Sequence, residues 1–505
     1  MKKAGFTLIE LLAVILILGV IVLIAIPTVS KITAQAKKGA FEVTAHTIID
    51  AAVVRYTKDA LDGTKDSMAY NYVNGVQVFE PSLNKLDYSG KNPDYGYVII
   101  RNDGEIAIAI HDGTYCAEKI FGDDSVILTT KTKEDCNLDG FFSPMPPAGE
   151  VANNLKDSDG DSYLDIWYLE QLKYIESNST TRSSNYELMR NLDFNDNASY
   201  LNSAANKALW TTGAGWKPIG NFLDTGGITS SNQFSGDFNG NNFRIKNLYI
   251  NRPTGDSVGL FTAGSGDFKN IVLENANVTG DWITGTIMGR HTSSAGVIEN
   301  CSIINPVVRG AAHTGGLIGE SSGKISKSYV INADVKGSNE YVGGFIGQNE
   351  GAISESYATG KVENIYVGGT SMMTGGFVGR NNKTIRNSYA NVTVINSSSY
   401  GHIGGFAGYV WMATVENCYS TGQVIQNTSG AKEGLVGWYY SATITNSYWD
   451  MESSGIPYQS FDLGAGLTTT QAKNKNSYIG WDFTNIWNIS PTINNGYPFL
   501  RALNN

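Results

Sequence analysis

Glu10 is the residue whose surroundings demand chemistry. It stands at the head of an apolar run in which Leu11 to Ser30 are twenty uncharged residues, mostly Leu, Ile and Val. At about 1.5 Å of rise per residue, a helix of that length crosses a hydrocarbon core about 30 Å thick. A carboxylate in the apolar part of such a helix costs roughly 2.5–3.5 kcal/mol unless a partner neutralises it. A cut between Gly5 and Phe6 would create an α-amino group four residues from Glu10. That amine can pair with Glu10 of a neighbouring subunit and set the axial stagger of a helical filament. Lys2 and Lys3 would hold the leading end on the cytoplasmic side.

Three other constellations are candidates for chemistry. Asp157, Asp159, Asp161 and Asp165 stand at odd spacings that can turn carboxylates around one hard cation, as in calcium loops. Ser162 replaces the expected glycine and Tyr168 the closing acid, so a solvated acidic turn opening the next domain is the competing reading. Cys116 and Cys136 close a loop of moderate length; outside the cell they would form a disulfide stabilising by ~3 kcal/mol, and two free thiols are the alternative. Tyr409-Val-Trp-Met412 and Trp438-Tyr-Tyr440 occupy turns that are polar in earlier repeats. Side by side, Tyr409, Trp411, Trp438, Tyr439 and Tyr440 would make an aromatic patch able to stack on sugar rings or anchor a protein, unless the C-terminal segment covers it. The five histidines and four cysteines form neither a Cys-x-x-Cys nor a His-Glu-x-x-His arrangement, so zinc chemistry has no support.

The N-terminal run has a known counterpart. Ala4-Gly-Phe-Thr-Leu-Ile-Glu10 resembles the leader and cut site of type IV prepilins. The resemblance implies that a prepilin peptidase cleaves after Gly5 and that the new N-terminal Phe6 is methylated. It also implies that Glu10 directs filament assembly and that Pro27 matches the proline that kinks many pilin helices. The implied partners are other pilin subunits and an inner-membrane assembly platform. The chain would sit as a single-pass protein in the cytoplasmic membrane and then move to an extracellular pilus. An ordinary signal peptide or plain anchor is the alternative, and an acid beside the charged leader fits a signal peptide badly.

The rest of the chain must position these groups. A length of 505 residues predicts at least two domains behind the anchor. A net charge of −10 without a Lys/Arg run argues against nucleic acid as the main partner. The 57 glycines, with abundant Asn, Ser, Thr and Tyr, point to an extracellular β-structure rich in turns. Helical spacing continues to about Leu61, with Ala36, Ala40, Val43, Ile48, Ala51 and Val54 as the expected apolar face. Strand-like runs follow at Gly75–Phe79, Gly96–Ile100, Ile106–Ile110 and Ser125–Thr130, with Asn102-Asp-Gly104 as a hairpin turn. A helix followed by a small antiparallel sheet is the pilin head arrangement, and Gly96 to Lys119 also resembles heads of Gram-positive minor pilins.

Beyond Pro144-Met-Pro-Pro147 come the repeats. Gly315-Gly-Leu-Ile-Gly319 recurs at Gly343, Gly375, Gly404 and Gly434, every 28 to 32 residues. Each copy leads to a second strand such as Ile325-Ser-Lys-Ser-Tyr329 and a third such as Ala333-Asp-Val335. Three short strands per period with glycine at the bends predict one coil of a parallel β-helix. The units look like GLUG-motif repeats, and the resemblance runs from about Leu164 to the end. Cys301 and Cys418 share one repeat position four periods apart. At about 4.8 Å per coil they are ~19 Å from each other, so they are expected as small, packed, reduced thiols.

The expected fold is mainly β: a long N-terminal helix, a pilin-like α+β head, and a large parallel β-helix. Its parts are a leader (1–5), a membrane and filament-core helix (6–30), the head (31–143), a linker (144–156), the repeat domain (157–449) and a C-terminal cap (450–505). The function this implies is a minor, tip-located pilin that presents an adhesin for cells or surface glycans. A pseudopilin of a secretion or DNA-uptake machine is the alternative. Parallel β-helices also host polysaccharide-acting enzymes, but no paired acids recur on adjacent coils, and the expectation is that the chain is not an enzyme. Ca2+ is the one cofactor considered.

Overall fold

The computed structural model describes residues 8–61, 68–73, 75–79, 85–100, 104–121, 125–132, 136, 150–157, 160–220, 232–366, 372–397, 401–427, 431–461 and 463–503. Side chains are described from residue 33 on, apart from 60, 69, 73, 78, 79, 203 and 204. The chain divides into two compact units, residues 1–142 and 143–504.

In the first unit a helix, α1 (Leu8–Leu61), precedes six strands: β1 (Met68–Val73), β2 (Val76–Phe79), β3 (Tyr95–Ile100), β4 (Ile106–His111), β5 (Cys116–Lys119) and β6 (Ile127–Thr129). They form one antiparallel sheet in the order β2-β1-β3-β4-β5-β6. The helix buries Phe41, Ala45, Ile48 and Ala52 against Tyr70, Val98, Ile108 and Ile110. This corrects the expected face. Spacings of four, three and four keep those four residues on one stripe, whereas Val43 and Val54 point outward, 63% and 68% exposed. Strands β1 and β5 were not expected. Asn71 and Glu118 break the apolar alternation there, yet Tyr70, Tyr72 and Ala117 supply the buried side.

The second unit is a stack of parallel coils. Seven coils run through four parallel sheets, and the first, second and sixth coils give two strands rather than one to the largest sheet. In the third coil the strands are His313–Gly315, Ile318–Ser321, Lys324–Ser326 and Tyr329–Gly337. Each pairs in parallel with its equivalent in the next coil. This coil therefore holds four strands, not three, because bends fall inside Gly315–Gly319 and inside Ile325–Tyr329, each of which reads in sequence as one strand.

The first bend is the double glycine. A Cβ on Gly344 would sit 2.3 Å from the Gly376 carbonyl oxygen of the next coil, so only glycine lets adjacent coils stack there. The second bend falls inside Ile325-Ser-Lys-Ser-Tyr329. Asn270, Asn300, Lys327, Glu355, Asn387, Asn417 and Asn446 all take a left-handed conformation, φ 45–55°, and asparagine is the non-glycine residue that tolerates this best. Each such residue resets the alternation, so the next side chain points in. Cys301, Ser328, Ser356, Ser388 and Cys418 are all fully buried, and the two cysteines are free. Burial pushes the Cys301 thiol up to about 12 and Cys418 higher still, which leaves both inert.

The interior is a column of stacked equivalents. Leu317, Phe345, Phe377, Phe406 and Leu435 lie in register and are fully buried, with Phe345, Phe377 and Phe406 ring centroids 4.6 and 5.0 Å apart. Their spacing matches the inter-strand distance, so each coil presents an apolar template to the next.

Candidate functional site

The leading groups fall largely outside the description. Gly5 and Phe6 precede the described residues, and Glu10 and Pro27 lie in α1 where side chains are not described. Among the described residues no helix is long and apolar enough to cross a membrane; the run from Leu11 to Ser30 belongs to the segment without described side chains.

The acidic loop is bound up with its own backbone. The Asp157 carboxylate accepts from the amides of Gly160, Asp161 and Ser162 at 2.6–3.1 Å. Ser162 adopts the left-handed conformation, φ 78°, where a calcium loop would carry glycine. Asp159 lies outside the described residues, and Asp165 is buried in the strand Leu164–Ile166. Among the described residues no cluster of three His, Cys, Asp or Glu side chains could hold an ion. In the first unit, Cys116 and Cys136 are joined by a disulfide.

The tyrosines that follow the buried Ser/Cys position point outward and stack along the solenoid. Tyr329, Tyr357, Tyr389 and Tyr419 lie 5.1, 4.6 and 5.0 Å apart, within 10° of parallel. The C-terminal segment runs over this ladder. Tyr478, Trp481, Trp487, Tyr497 and Leu500 bury Tyr357, Tyr389, Tyr419 and Tyr448 in a second apolar cluster outside the main core. The Tyr419 hydroxyl donates to the Pro498 carbonyl at 2.5 Å, and the Trp481 indole N–H donates to the Asn446 carbonyl at 2.8 Å. Burial raises the Tyr357 and Tyr419 phenols well above their ordinary value, so the ladder stays neutral.

The cover is thus spent on the tyrosine ladder, and the aromatic turns remain reachable. On the sheet that contains Ile318–Ser321, one outward column reads Arg290, Glu320, Gln348, Arg380, Tyr409, Trp438. Two residues further on, Trp411 stands beside Tyr440. Trp411 and Trp438 are 37% and 38% exposed and Tyr440 is 58% exposed. From the C-terminal segment, Phe461 in the turn that closes the last coil packs beside this group, 5.2 Å from Trp438 and 5.3 Å from Tyr439. The register places Tyr409, Trp411, Trp438 and Tyr440 on one outward face, whereas Tyr439 pairs with the buried Val410 and packs against the main core.

What sequence reasoning missed is the wall opposite. The neighbouring sheet meets this one at the double-glycine bend, and outward side chains of the two touch across it. Arg380 donates to the Tyr341 hydroxyl at 3.1 Å. His402 stacks on Trp438 at 4.7 Å, and burial lowers its pKa. Deeper along, His313 Nδ1 lies 3.1 Å from Glu320, which also pairs with Arg290 at 2.9 Å. Burial alone would raise the Glu320 carboxyl, but the His313 hydrogen bond and the Arg290 charge hold it below the usual range. The result is a shallow trough, charged in its early coils and aromatic in its last ones. Its signal in sequence was the period itself: Arg380 stands 29 residues before Tyr409, one coil away.

A separate open cavity of about 450 Å3 is lined by Glu170, Lys173, Glu176 and Trp210. Its lysine is engaged: Lys173 donates to the Lys217 carbonyl at 2.7 Å, pairs with Glu176 at 3.0 Å and lies over Trp216. Burial, offset in part by Glu176, lowers it to about 8.

Two kinds of stretch in the chain match motifs of known proteins. Residues 1–26 match the prokaryotic N-terminal methylation motif. The chain carries a prepilin-type N-terminus. Residues 338–363 and 399–425 match the GLUG motif. Among curated proteins, halomucin of Haloquadratum walsbyi is 30% identical over 226 residues, 44% of this chain but 2% of that protein. The chain therefore spans a small fraction of this relative. Among solved structures, a candidate immunoglobulin A1 protease from Bacteroides ovatus gives a TM-score of 0.44 at 18% identity, over 69% of this chain and 94% of that one. An IgA1 protease gives 0.34 at 15% identity, over 76% and 28%. Backbones this divergent transfer no activity. The methylation motif and the GLUG repeats suggest a surface-exposed, pilin-like, adhesin-type protein.

Proposed function

We propose that this chain is a minor type IV pilin, assembled through its N-terminal helix and exposing the solenoid as an adhesin. The observation that carries the adhesive part is the open aromatic trough. The C-terminal segment buries a four-tyrosine ladder yet leaves Trp411, Trp438 and Tyr440 exposed, and exposed clustered aromatics mark binding surfaces. Flat rings at the spacing of stacked coils suit the apolar faces of sugars. The filament part rests on Gly5, Phe6 and Glu10 within the methylation motif. A solenoid of this bulk on every subunit would crowd a shaft, which supports tip placement.

Three experiments test this. Glu10→Ala is expected to abolish incorporation into filaments while both folded units survive, and normal incorporation would refute the charge-pairing argument. Immunogold labelling along the whole shaft would refute the tip. The full chain, displayed on cells or in detergent, is expected to bind members of a glycan panel, and Trp411→Ala/Trp438→Ala to lose them; undiminished binding sinks the ligand site.

A further inference from the structure

Resting on that reading, we infer that the trough takes an acidic saccharide, its carboxylate held by Arg380 and its ring faces by Trp411 and Tyr409. Arg380 sits where the polar early coils give way to aromatic ones. Its guanidinium carbon lies 4.9 Å from the Trp411 ring centroid, 5.4 Å from Tyr341 and 5.8 Å from Tyr409. Three rings therefore surround one cation, which favours and orients the planar charge.

The cation lacks an acid. Its described hydrogen bonds go from Nε to the Asn382 side-chain oxygen at 3.0 Å and from one terminal nitrogen to the Tyr341 hydroxyl at 3.1 Å. Both acceptors are neutral. Four arginines of the solenoid are matched to acids, Arg244 to Glu274, Arg290 to Glu320, Arg309 to Asp334 and Arg386 to Glu416, and Arg252 bonds the backbone carbonyls of Trp216 and Gly215. Among the described residues no ion pair involves Arg380. The acid one coil over, Glu350, bonds Gln348 and Asn382 instead. Asn382 and Tyr341 fix the fork, and its second terminal nitrogen, which makes no hydrogen bond among the described residues, can bind a carboxylate. Trp411 at 37% exposure offers a face for the sugar ring beside it. A neutral glycan would use the rings alone and leave the charge unanswered; a uronate or sialate uses both.

The test uses the full chain in detergent, with polygalacturonate and the same polymer after carboxyl reduction as probes. Wild-type protein is expected to bind the acidic polymer about tenfold tighter, the usual scale of one charge-assisted contact. The preference should shrink as salt rises. Arg380→Gln should abolish the preference for the acidic polymer over the reduced one, and Arg380→Lys should restore part of it. Equal binding of both polymers by the wild type, or an unchanged preference in Arg380→Gln, overturns the assignment to acidic sugars while the aromatic binding site stands. Binding of neither polymer, with Trp411→Ala/Trp438→Ala indistinguishable from wild type, overturns both.

Discussion

Trp487 tests whether the C-terminal segment is a strap on a finished solenoid or part of what holds the solenoid together. Its side chain is fully buried, stacked 4.3 Å from Trp481 and about 6 Å from Tyr389 and Tyr419. Its indole nitrogen has no acceptor among the described residues, so truncation removes packing and no hydrogen bond. A buried aromatic hides roughly 150–250 Å², which at about 25 cal/mol per Å² corresponds to about 4–6 kcal/mol. The retained methyl and partial collapse bring the expected loss for Trp487→Ala to about 3–5 kcal/mol. That loss should fall on the docking of the strap alone, because its cluster is separate from the coil interior and local units open independently. Lys473 and Lys475 are exposed in the strap and report its opening to trypsin. At about 1.4 kcal/mol per tenfold, cleavage there should accelerate about a hundredfold or more, while the β signal of the coils melts at a nearly unchanged midpoint. Trp487→Phe should recover most of the protection. An unchanged cleavage rate, or first cuts within the coils at Arg309 or Lys336, would refute the strap.

Two further outcomes follow from buried groups. Replacing Cys116 and Cys136 together by alanine opens a loop of sequence separation 20 and should destabilise the first unit by about 3 kcal/mol, read as a lowered calorimetric midpoint; the same replacement of Cys301 should leave that transition alone. His291 is fully buried with Nε2 3.0 Å from the Gly266 carbonyl oxygen, and burial lowers its pKa. The folded state therefore resists the proton that the unfolded chain accepts near pH 6.5, so stability is intact above that pH and declines as pH falls below it, by at most about 1.4 kcal/mol per pH unit for this group. Urea midpoints of His291→Gln between pH 7 and 5 should show a shallower slope than wild type; equal slopes refute the assignment.

Much of this architecture was legible because a repeat displays its own register. The spacing of the Gly-x-x-Gly units located the coils, and the shared position of Cys301 and Cys418 among serines marked a small buried site. Which way the tyrosines face was not legible. Strict alternation carries a strand's direction only until a left-handed residue intervenes, and one does so at Lys327 and its equivalents. Tyr329 therefore turns outward two residues after a bend that the residue type hides, since lysine and glutamate hold the place in two coils. The helix face was misread for a simpler reason: Val43 and Val54 are apolar but lie off the stripe of Phe41, Ala45, Ile48 and Ala52. Arg380 was visible in the chain as part of a polar turn, and only the opposite sheet gives it Tyr341.

The disposition of the faces narrows where this solenoid can meet a ligand. The sheet containing Lys324–Ser326 shows outward Lys269, Glu299, Ser326, Ser354, Arg386 and Glu416 in register, a solvated ladder in which Arg386 and Glu416 pair at 2.8 Å. The sheet that carries the tyrosines is covered by the strap over its later coils. What remains is the bend between the other two sheets, where the outward column changes from Glu320 and Gln348 to Tyr409 and Trp438. Stability alone gives no reason for that change, since the early coils stack equally well with polar side chains at the same register. Exposed indoles cost solubility, and a strap long enough to bury four tyrosines passes over the other face instead. The proposed ligand site accounts for aromatics gathered at one end of this bend beside Arg380, which makes no ion pair among the described residues.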